Sequence, residues 1–84
     1  MDELRAGKPL AANRVTLVPI ERFFVRSGKS NGSYWVNALK EPYAIIVCDT
    51  NGIRAFDTEA IEISLASLKQ RIKGLEAILA SLGY

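Results

Sequence analysis

The chain has 84 residues, of which 49% are hydrophobic and 24% are charged, a composition typical of a folded globular domain rather than of a disordered segment. Its 11 basic and 9 acidic side chains give a net charge of +2, too small for the whole molecule to attract nucleic acid or anionic lipid. With no histidine and one cysteine, the sequence excludes an internal disulfide, a zinc site of the usual Cys/His kind and any pairing of a nucleophile with histidine.

The first thirteen residues, 1–13, mix charged residues with Gly7, Pro9 and alanines and show neither helical nor strand periodicity. They predict a flexible tail that orders on a partner, with a short first helix as the alternative. Residues 14–84 are then expected to form a single domain. The opening residues lack the pattern of a signal peptide, and no run approaches the ~18 apolar residues that cross a bilayer, so we expect a cytoplasmic protein without membrane contact.

Runs of β-branched and aromatic residues follow from residue 14 onwards and predict short strands. They cover residues 15–18, 23–26, 34–36, 43–48 and 53–56, with 60–63 as a further short candidate. Pro19 cannot donate to a ladder of hydrogen bonds, so it should divide two strands or lie at a sheet edge. Residues 27–33 are all turn formers and predict a mobile loop within a hairpin, and 39–42 predict a second break.

Asn51-Gly52 lies between two predicted strands and is a strong signal for a β-hairpin, because both residues tolerate a positive φ. If these two residues form the whole loop, the register of the hairpin follows from it. The predicted cross-strand pairs are Thr50 with Ile53, Asp49 with Arg54, Cys48 with Ala55 and Val47 with Phe56.

The C-terminal segment has the apolar spacing of an amphipathic helix. Ser64 is a suitable N-cap and Gly83 a suitable stop. Gly74 interrupts the segment, but the apolar phase continues through it, which favours one kinked helix over two short ones. The predicted fold is therefore α+β: an antiparallel sheet of four or five short strands, a meander of hairpins, capped by one C-terminal amphipathic helix.

Two short patterns share residues with known motifs but do not fit them. Gly28-Lys29-Ser30 matches the tail of a phosphate-binding loop, yet Phe23 stands where the first glycine is needed. Asp49-Thr50-Asn51-Gly52 begins like a calcium loop, but its glycine is fourth instead of sixth. We therefore expect turns at both places, and no cofactor or metal.

Three carboxylates, Asp57, Glu59 and Glu62, lie close together in the sequence and are expected to be solvated residues around a turn. A minimal enzyme that uses such carboxylates is the least favoured reading, so the sequence predicts a protein that is not an enzyme. Cys48, within an apolar run, is expected to be buried and unreactive.

The apolar stripe of the C-terminal helix has two interpretations: it packs on the domain's own sheet, or it pairs with a partner helix. Because a chain this short hides only about 60–65% of its unfolded surface, the leading prediction is a non-catalytic protein interaction module, a homodimer or a small subunit of an assembly. The candidate partner-binding residues are Leu68, Ile72, Leu75, Ile78, Leu79 and Leu82.

The alternative function is that of a small nucleic-acid-binding regulator. Between residues 14 and 40 the sequence has five basic residues and one acidic residue, interleaved with aromatic side chains. Proteins that bind single-stranded nucleic acids use this combination, because basic side chains neutralise the phosphates and aromatic side chains stack on the bases. The candidate residues are Arg22, Arg26, Lys29, Tyr34 and Trp35.

Overall fold

A computed structural model describes residues 2–83, which form an antiparallel sheet of six strands followed by two short helices. The strands are β1 (Asp2–Ala6), β2 (Leu10–Ala12), β3 (Val15–Ser30), β4 (Ser33–Asp49), β5 (Gly52–Asp57) and β6 (Glu62–Ile63). The helices are α1 (Leu65–Arg71) and α2 (Leu75–Ser81). The α+β class predicted from the sequence is confirmed, whereas the predictions of four or five strands and of a single helix are wrong.

The sheet is built around one long hairpin of β3 and β4, and its strand order is β1-β3-β4-β5-β6, with β2 also paired to β3. Each of these two strands joins two of the short strands predicted from the sequence. The loop predicted at 27–33 is reduced to the turn Asn31-Gly32, whose φ angles of 51° and 80° suit a type I′ turn. The remaining turn formers are drawn into the ladder because cross-strand pairing overrides their local propensity.

Pro19 lies inside β3, neither between two strands nor at an edge of the sheet. Its carbonyl oxygen accepts a 2.7 Å hydrogen bond from the Gly7 amide, on the side of β3 that faces β1 and β2. In an antiparallel ladder the amide and carbonyl of one residue point to the same neighbour, so the missing N–H of Pro19 also faces this side. Pro19 faces the gap between β1 and β2, where no ladder hydrogen bond needs its N–H. A proline is therefore tolerated within β3.

A bulge in β4 replaces the break predicted at 39–42. Ile20 pairs with Ala44 while Glu21 pairs with Pro42, so Tyr43 is the extra residue on β4. Bulges bend a strand and increase its twist. The bulge lets β4 continue from the body of the sheet into the far half of the hairpin.

The N-terminal residues predicted to be a flexible tail form β1 and β2, both paired with β3. Leu4 is 9% exposed and joins the core, with Ala6 packed against that core. These strands were not predicted because each of them offers only a few apolar residues to the sheet, too few to show a strand periodicity.

The hairpin of β4 and β5 is present, but its register differs by two residues from the predicted one. Asp49 pairs with Gly52 and Val47 with Arg54, so Thr50 and Asn51 form the loop. The Asn51 amide donates a 2.8 Å hydrogen bond to Asp49 Oδ1, and Gly52 alone supplies the positive φ, 118°. Because a shift of two residues keeps every side chain on its face, Arg54 still reaches Asp49, at 3.3 Å.

The C-terminal segment is broken into α1 and α2 at residues 72–74. Ile72 is extended (φ −114°, ψ 107°), and Gly74 has a left-handed φ of 85°. Ser64 caps α1 as predicted, since its hydroxyl accepts a 3.1 Å hydrogen bond from the Ser67 amide. The chain turns at Gly74, and the apolar residues of both short helices lie against the same sheet face.

The hydrophobic core lies between the two helices and one face of the sheet. Its most deeply buried members on the sheet are Val18, Ile20, Ile46, Cys48 and Ala55, each 0% exposed. Among residues 2–83, no helix is long and apolar enough to span a membrane.

Candidate interaction surface

The apolar stripe of the C-terminal helices faces the protein's own sheet. Leu68, Ile72, Leu75 and Leu79 are 2%, 3%, 0% and 2% exposed and belong to the core. Ile78 is half-buried, and Leu82 packs against the edge of the core. The structure therefore takes the first of the two alternatives for these four residues, three leucines and one isoleucine, which have no free surface for a partner helix.

The opposite face of the sheet is apolar as well, and in the described residues no helix lies over it. The registers align side chains across it in two rows: Leu10, Leu17 and Val47 in the first, and Pro19, Ile45 and Phe56 in the second. These residues alternate with the core residues along their strands and are half-buried or, for Leu10, 59% exposed. The sequence signal for this second apolar face is in residues 15–18 and 44–48. Both runs have apolar residues on both faces of the strand, and such a strand has two faces to cover.

The far half of the long hairpin projects beyond the rest of the sheet. β1 pairs with β3 only as far as Phe24, so residues 25–40, the hairpin arm, continue as two strands. Every arm residue is exposed except Val25 and Gly28, which are half-buried. The molecule is accordingly elongated, with extents of 56 × 26 × 24 Å.

Large apolar side chains occupy the exposed second strand of the arm. Tyr34 is 80% exposed, Val36 70%, Trp35 45% and Leu39 44%. Trp35 packs over its cross-strand partner Gly28, where an added Cβ would lie only 2.5 Å from the indole ring. By alternation, Tyr34 and Val36 lie on one face of the arm and Trp35 and Leu39 on the other, so both faces of the arm present apolar surface to water.

The outer edge of β4 in the arm is open. In a two-residue hairpin the closing pair, Ser30 with Ser33, is hydrogen-bonded, and such pairs alternate along the ladder. The amides and carbonyls of Tyr34, Val36, Ala38 and Lys40 therefore point away from β3. β5 begins to pair with β4 only at Ala44. Apart from β3, no described strand pairs with residues 33–43.

The residues proposed from the sequence for nucleic-acid binding all lie on β3 and β4, but they divide between two faces. By alternation, Arg22, Arg26 and Trp35 share one face, and Lys29 and Tyr34 share the other. Lys29 Nζ lies 5.5 Å from the Tyr34 ring, and the Arg26 guanidinium lies 5.2 Å from the Phe24 ring.

Arg22 is the least available of these basic residues. Its Nε lies 3.2 Å from Glu41 Oε1, and its guanidinium lies 5.2 Å from the Phe24 ring. The β4 edge that these residues flank was not predicted, because the predicted strand ended at Val36 and a break was expected at 39–42. The sequence signal for this edge was residues 34–39, which contain no charged residue, proline or glycine to end a strand.

The carboxylate of Asp57 and the thiol of Cys48, two groups that could take part in catalysis, are held within the fold. Asp57 Oδ1 accepts hydrogen bonds from the amides of Glu59 (2.9 Å) and Ile61 (3.0 Å), which holds the β5–β6 turn. Cys48 is buried, and its burial, reinforced by the negative charge of Asp49, raises the pKa of the thiol. Within residues 2–83, no group of three or more potential metal ligands comes together.

The comparisons with known proteins give no relative. No protein-family model matches the sequence, and neither a curated protein nor a solved structure matches it.

Proposed function

We propose that this protein is a non-catalytic interaction module of the cytoplasm, which acts as a homodimer or as a small subunit of a larger assembly. The proposal assigns binding to the surfaces that the fold leaves open, which are the uncovered sheet face and the hairpin arm. The proposal does not assign binding to Leu68, Ile72, Leu75 and Leu79, because these residues of the helix stripe fill the core.

The observation that carries the proposal is the amount of surface left in water. The chain exposes 6023 Å², whereas a compact monomer of 9.2 kDa is expected to expose about 4,900 Å². The excess of roughly 1,100 Å² exceeds the ~800 Å² that each partner contributes to a standard protein interface. The radius of gyration of 15.8 Å is likewise above the ~12 Å expected for a compact chain of this length.

Native mass spectrometry of the tagged protein purified from its natural source tests this proposal. We expect a stoichiometric complex, either with itself or with another protein. A matched bait in which Leu10 and Val36 are both replaced by lysine should lose the companion, since both side chains are exposed and apolar. A protein that stays a 9.2 kDa monomer and brings no stoichiometric companion at any concentration would refute the proposal.

A second function, nucleic-acid binding by the arm, is favoured by one observation. Residues 25–40 contain three basic side chains, Arg26, Lys29 and Lys40, and no acidic one. A two-stranded ribbon with such charge fits a groove or a single strand. Trp35 fluorescence titrated with single-stranded DNA or RNA at low and moderate salt tests it, and an unchanged signal at low salt would remove this second function.

A further inference from the structure

We infer that the partner of the hairpin arm is a second copy of this chain, bound through antiparallel pairing of the two open β4 edges, residues 33–43. This inference rests on the proposed interaction function and names its partner. The two arms would form a four-stranded sheet, in the order β3-β4-β4-β3, that joins the two bodies. Such a contact is isologous, because each copy presents the same edge.

The backbone of the arm is prepared for this pairing. Tyr34, Val36, Ala38 and Lys40 direct their amides and carbonyls outward along one line. Pro42, which has no amide to offer, follows at the root of the arm, where the bulge at Tyr43 ends the regular edge. An open edge of this length is a template for another strand, and proteins that remain monomeric blunt such edges.

The features that blunt an edge, Lys40, Pro42 and the bulge, lie at the root of the arm, whereas the side chains of residues 34–39 do not blunt it. Residues 34–39 read Tyr-Trp-Val-Asn-Ala-Leu, with no charge, no proline and no glycine. Segments of six residues with strong β propensity and no charge are those that pair with other strands when exposed. The aromatic and aliphatic side chains then gain cross-strand neighbours from the second copy on both faces.

The charges of the molecule favour a second copy over an unrelated partner. The arm carries three basic residues and no acidic one, whereas residues 57–62 carry three acidic residues, Asp57, Glu59 and Glu62, and no basic one. The acidic turn begins where the open edge ends, because Asp57 pairs with Ala44. Lys29 lies near the tip of the arm, Arg26 in its middle and Lys40 near its root, so one molecule has Lys29 and the acidic turn at opposite ends of the same edge.

A two-fold axis near Ala38, the midpoint of 33–43, brings these groups together. The edge is roughly 34 Å long at the rise of a β-strand. Residue 32 of one copy then lies level with Ala44 of the other, so the basic tip of each arm meets the acidic turn of its partner. β5 blocks any further overlap, because it occupies the β4 edge from Ala44 onwards.

Substituting proline on the two edges of the arm tests the inference. Ala38→Pro removes an outward amide from the β4 edge without removing a hydrogen bond to β3, so it should raise the dimer dissociation constant at least tenfold. The matched control is Ser27→Pro, which removes an outward amide on the β3 edge. We expect this control to change the constant less than twofold in sedimentation equilibrium.

A lysine on each edge gives a second matched pair that does not depend on proline. Val36→Lys should also weaken the dimer at least tenfold, because residue 36 then faces Lys40 of the other copy across the axis. Ser27 is the cross-strand partner of Val36 on the same face, so Ser27→Lys adds the same charge at the same level and should leave the dimer intact. Far-ultraviolet circular dichroism verifies that all four variants fold.

A charge exchange tests the two-fold arrangement itself. Lys29→Glu and Glu59→Lys should each weaken the dimer about two- to fivefold at low salt, and the double variant should restore it. A wild-type protein that stays monomeric, or a dimer that Ala38→Pro and Val36→Lys do not weaken, would overturn the inference. A stoichiometric complex with a different protein would also overturn it, while the proposed interaction function would stand.

Discussion

Trp35 covers Gly28 on the opposite strand of the hairpin arm, so closely that a Cβ on Gly28 would lie 2.5 Å from indole Cζ2 and 2.7 Å from Cε2. The indole fills the space that a side chain at position 28 would take. An aromatic residue placed over a strand glycine compensates for the weak strand propensity of glycine.

Gly28→Ala should therefore displace the indole into solvent. We expect the fluorescence emission of Trp35, the only tryptophan, to move to longer wavelength and acrylamide quenching to increase. The free energy of unfolding should change by less than about 1 kcal/mol, because the arm lies outside the core. Ser27→Ala, one residue away and on the opposite face, is the control, and an unchanged emission maximum in Gly28→Ala would contradict the contact.

The bulge residue Tyr43 is tied to the end of α1. Arg71 Nη1 donates a 2.8 Å hydrogen bond to Tyr43 Oη, and the guanidinium lies 5.3 Å from the centre of the ring. Tyr43→Phe should lower the free energy of unfolding by about 0.5–1 kcal/mol, since it removes the hydrogen bond but keeps the ring under the cation. Urea denaturation measures this.

Tyr34→Phe is the matched control, because Tyr34 is 80% exposed on the arm. Its effect should stay within about 0.5 kcal/mol. If the two tyrosine variants were equally stable, the hydrogen bond would contribute nothing to the position of α1. A double-mutant cycle with Arg71→Lys then separates the hydrogen bond from the contact with the ring.

Several elements of the fold were predictable because their signals are local. Asn51-Gly52 marked the β4–β5 hairpin, and Ser64 marked the start of α1. The hairpin register was wrong by two residues because Asn51 does not take a positive φ. A Thr50-Asn51 loop followed by Gly52 differs from an Asn51-Gly52 loop in register and in which residues take a positive φ, and the dipeptide Asn-Gly does not specify which of the two forms.

The arm was not predictable in the same way, because pairing holds it together. Ser27, Gly28, Lys29 and Ser30 are turn formers taken one by one, and their strand conformation comes from the ladder to residues 33–36 and from the Trp35 contact. The open edge, and with it the candidate site, exists only once both strands are known to continue. The sequence therefore singled out Tyr34 and Trp35, as candidates for nucleic-acid binding, but not the open edge on which they lie.

The break between α1 and α2 depends on one residue, Gly74. Gly74 has a φ of 85° and nothing within 4 Å of the position of an added Cβ. Gly74→Ala should thus lower the free energy of unfolding by about 1 kcal/mol through backbone strain alone, with no gain in helical circular dichroism at 222 nm. Gly74→Asn should cost less, because asparagine tolerates the left-handed region.

The opposite outcome for Gly74→Ala would be informative about the fold. If the segment were one continuous helix, alanine would stabilise it by about 1 kcal/mol relative to glycine and the helical signal would rise. Chemical denaturation and circular dichroism of the same sample distinguish the two results.

Cys48 lies near the C-terminal end of β4 and is 0% exposed, within the core between the sheet and the helices. Burial raises the pKa of its thiol, and the charge of Asp49 adds to the effect. A disulfide reagent such as DTNB should label native Cys48 at least a hundredfold more slowly than the urea-unfolded chain, because both access and thiolate are lacking. Rapid labelling of the native protein would contradict this position of β4.

The raised pKa of the Cys48 thiol also determines whether the free energy of unfolding rises or falls with pH. The raised pKa moves ionisation of the folded thiol to a higher pH than that of the unfolded thiol, so the contribution to stability is complete below the unfolded pKa and is lost as the pH rises through the folded pKa. The advantage of the wild type over Cys48→Ala in free energy of unfolding should therefore be smaller at pH 9.5 than at pH 7. Comparing the two proteins by urea denaturation at both pH values cancels the titration of tyrosine and lysine, and a constant difference would mean that Cys48 ionises equally in the folded and unfolded states.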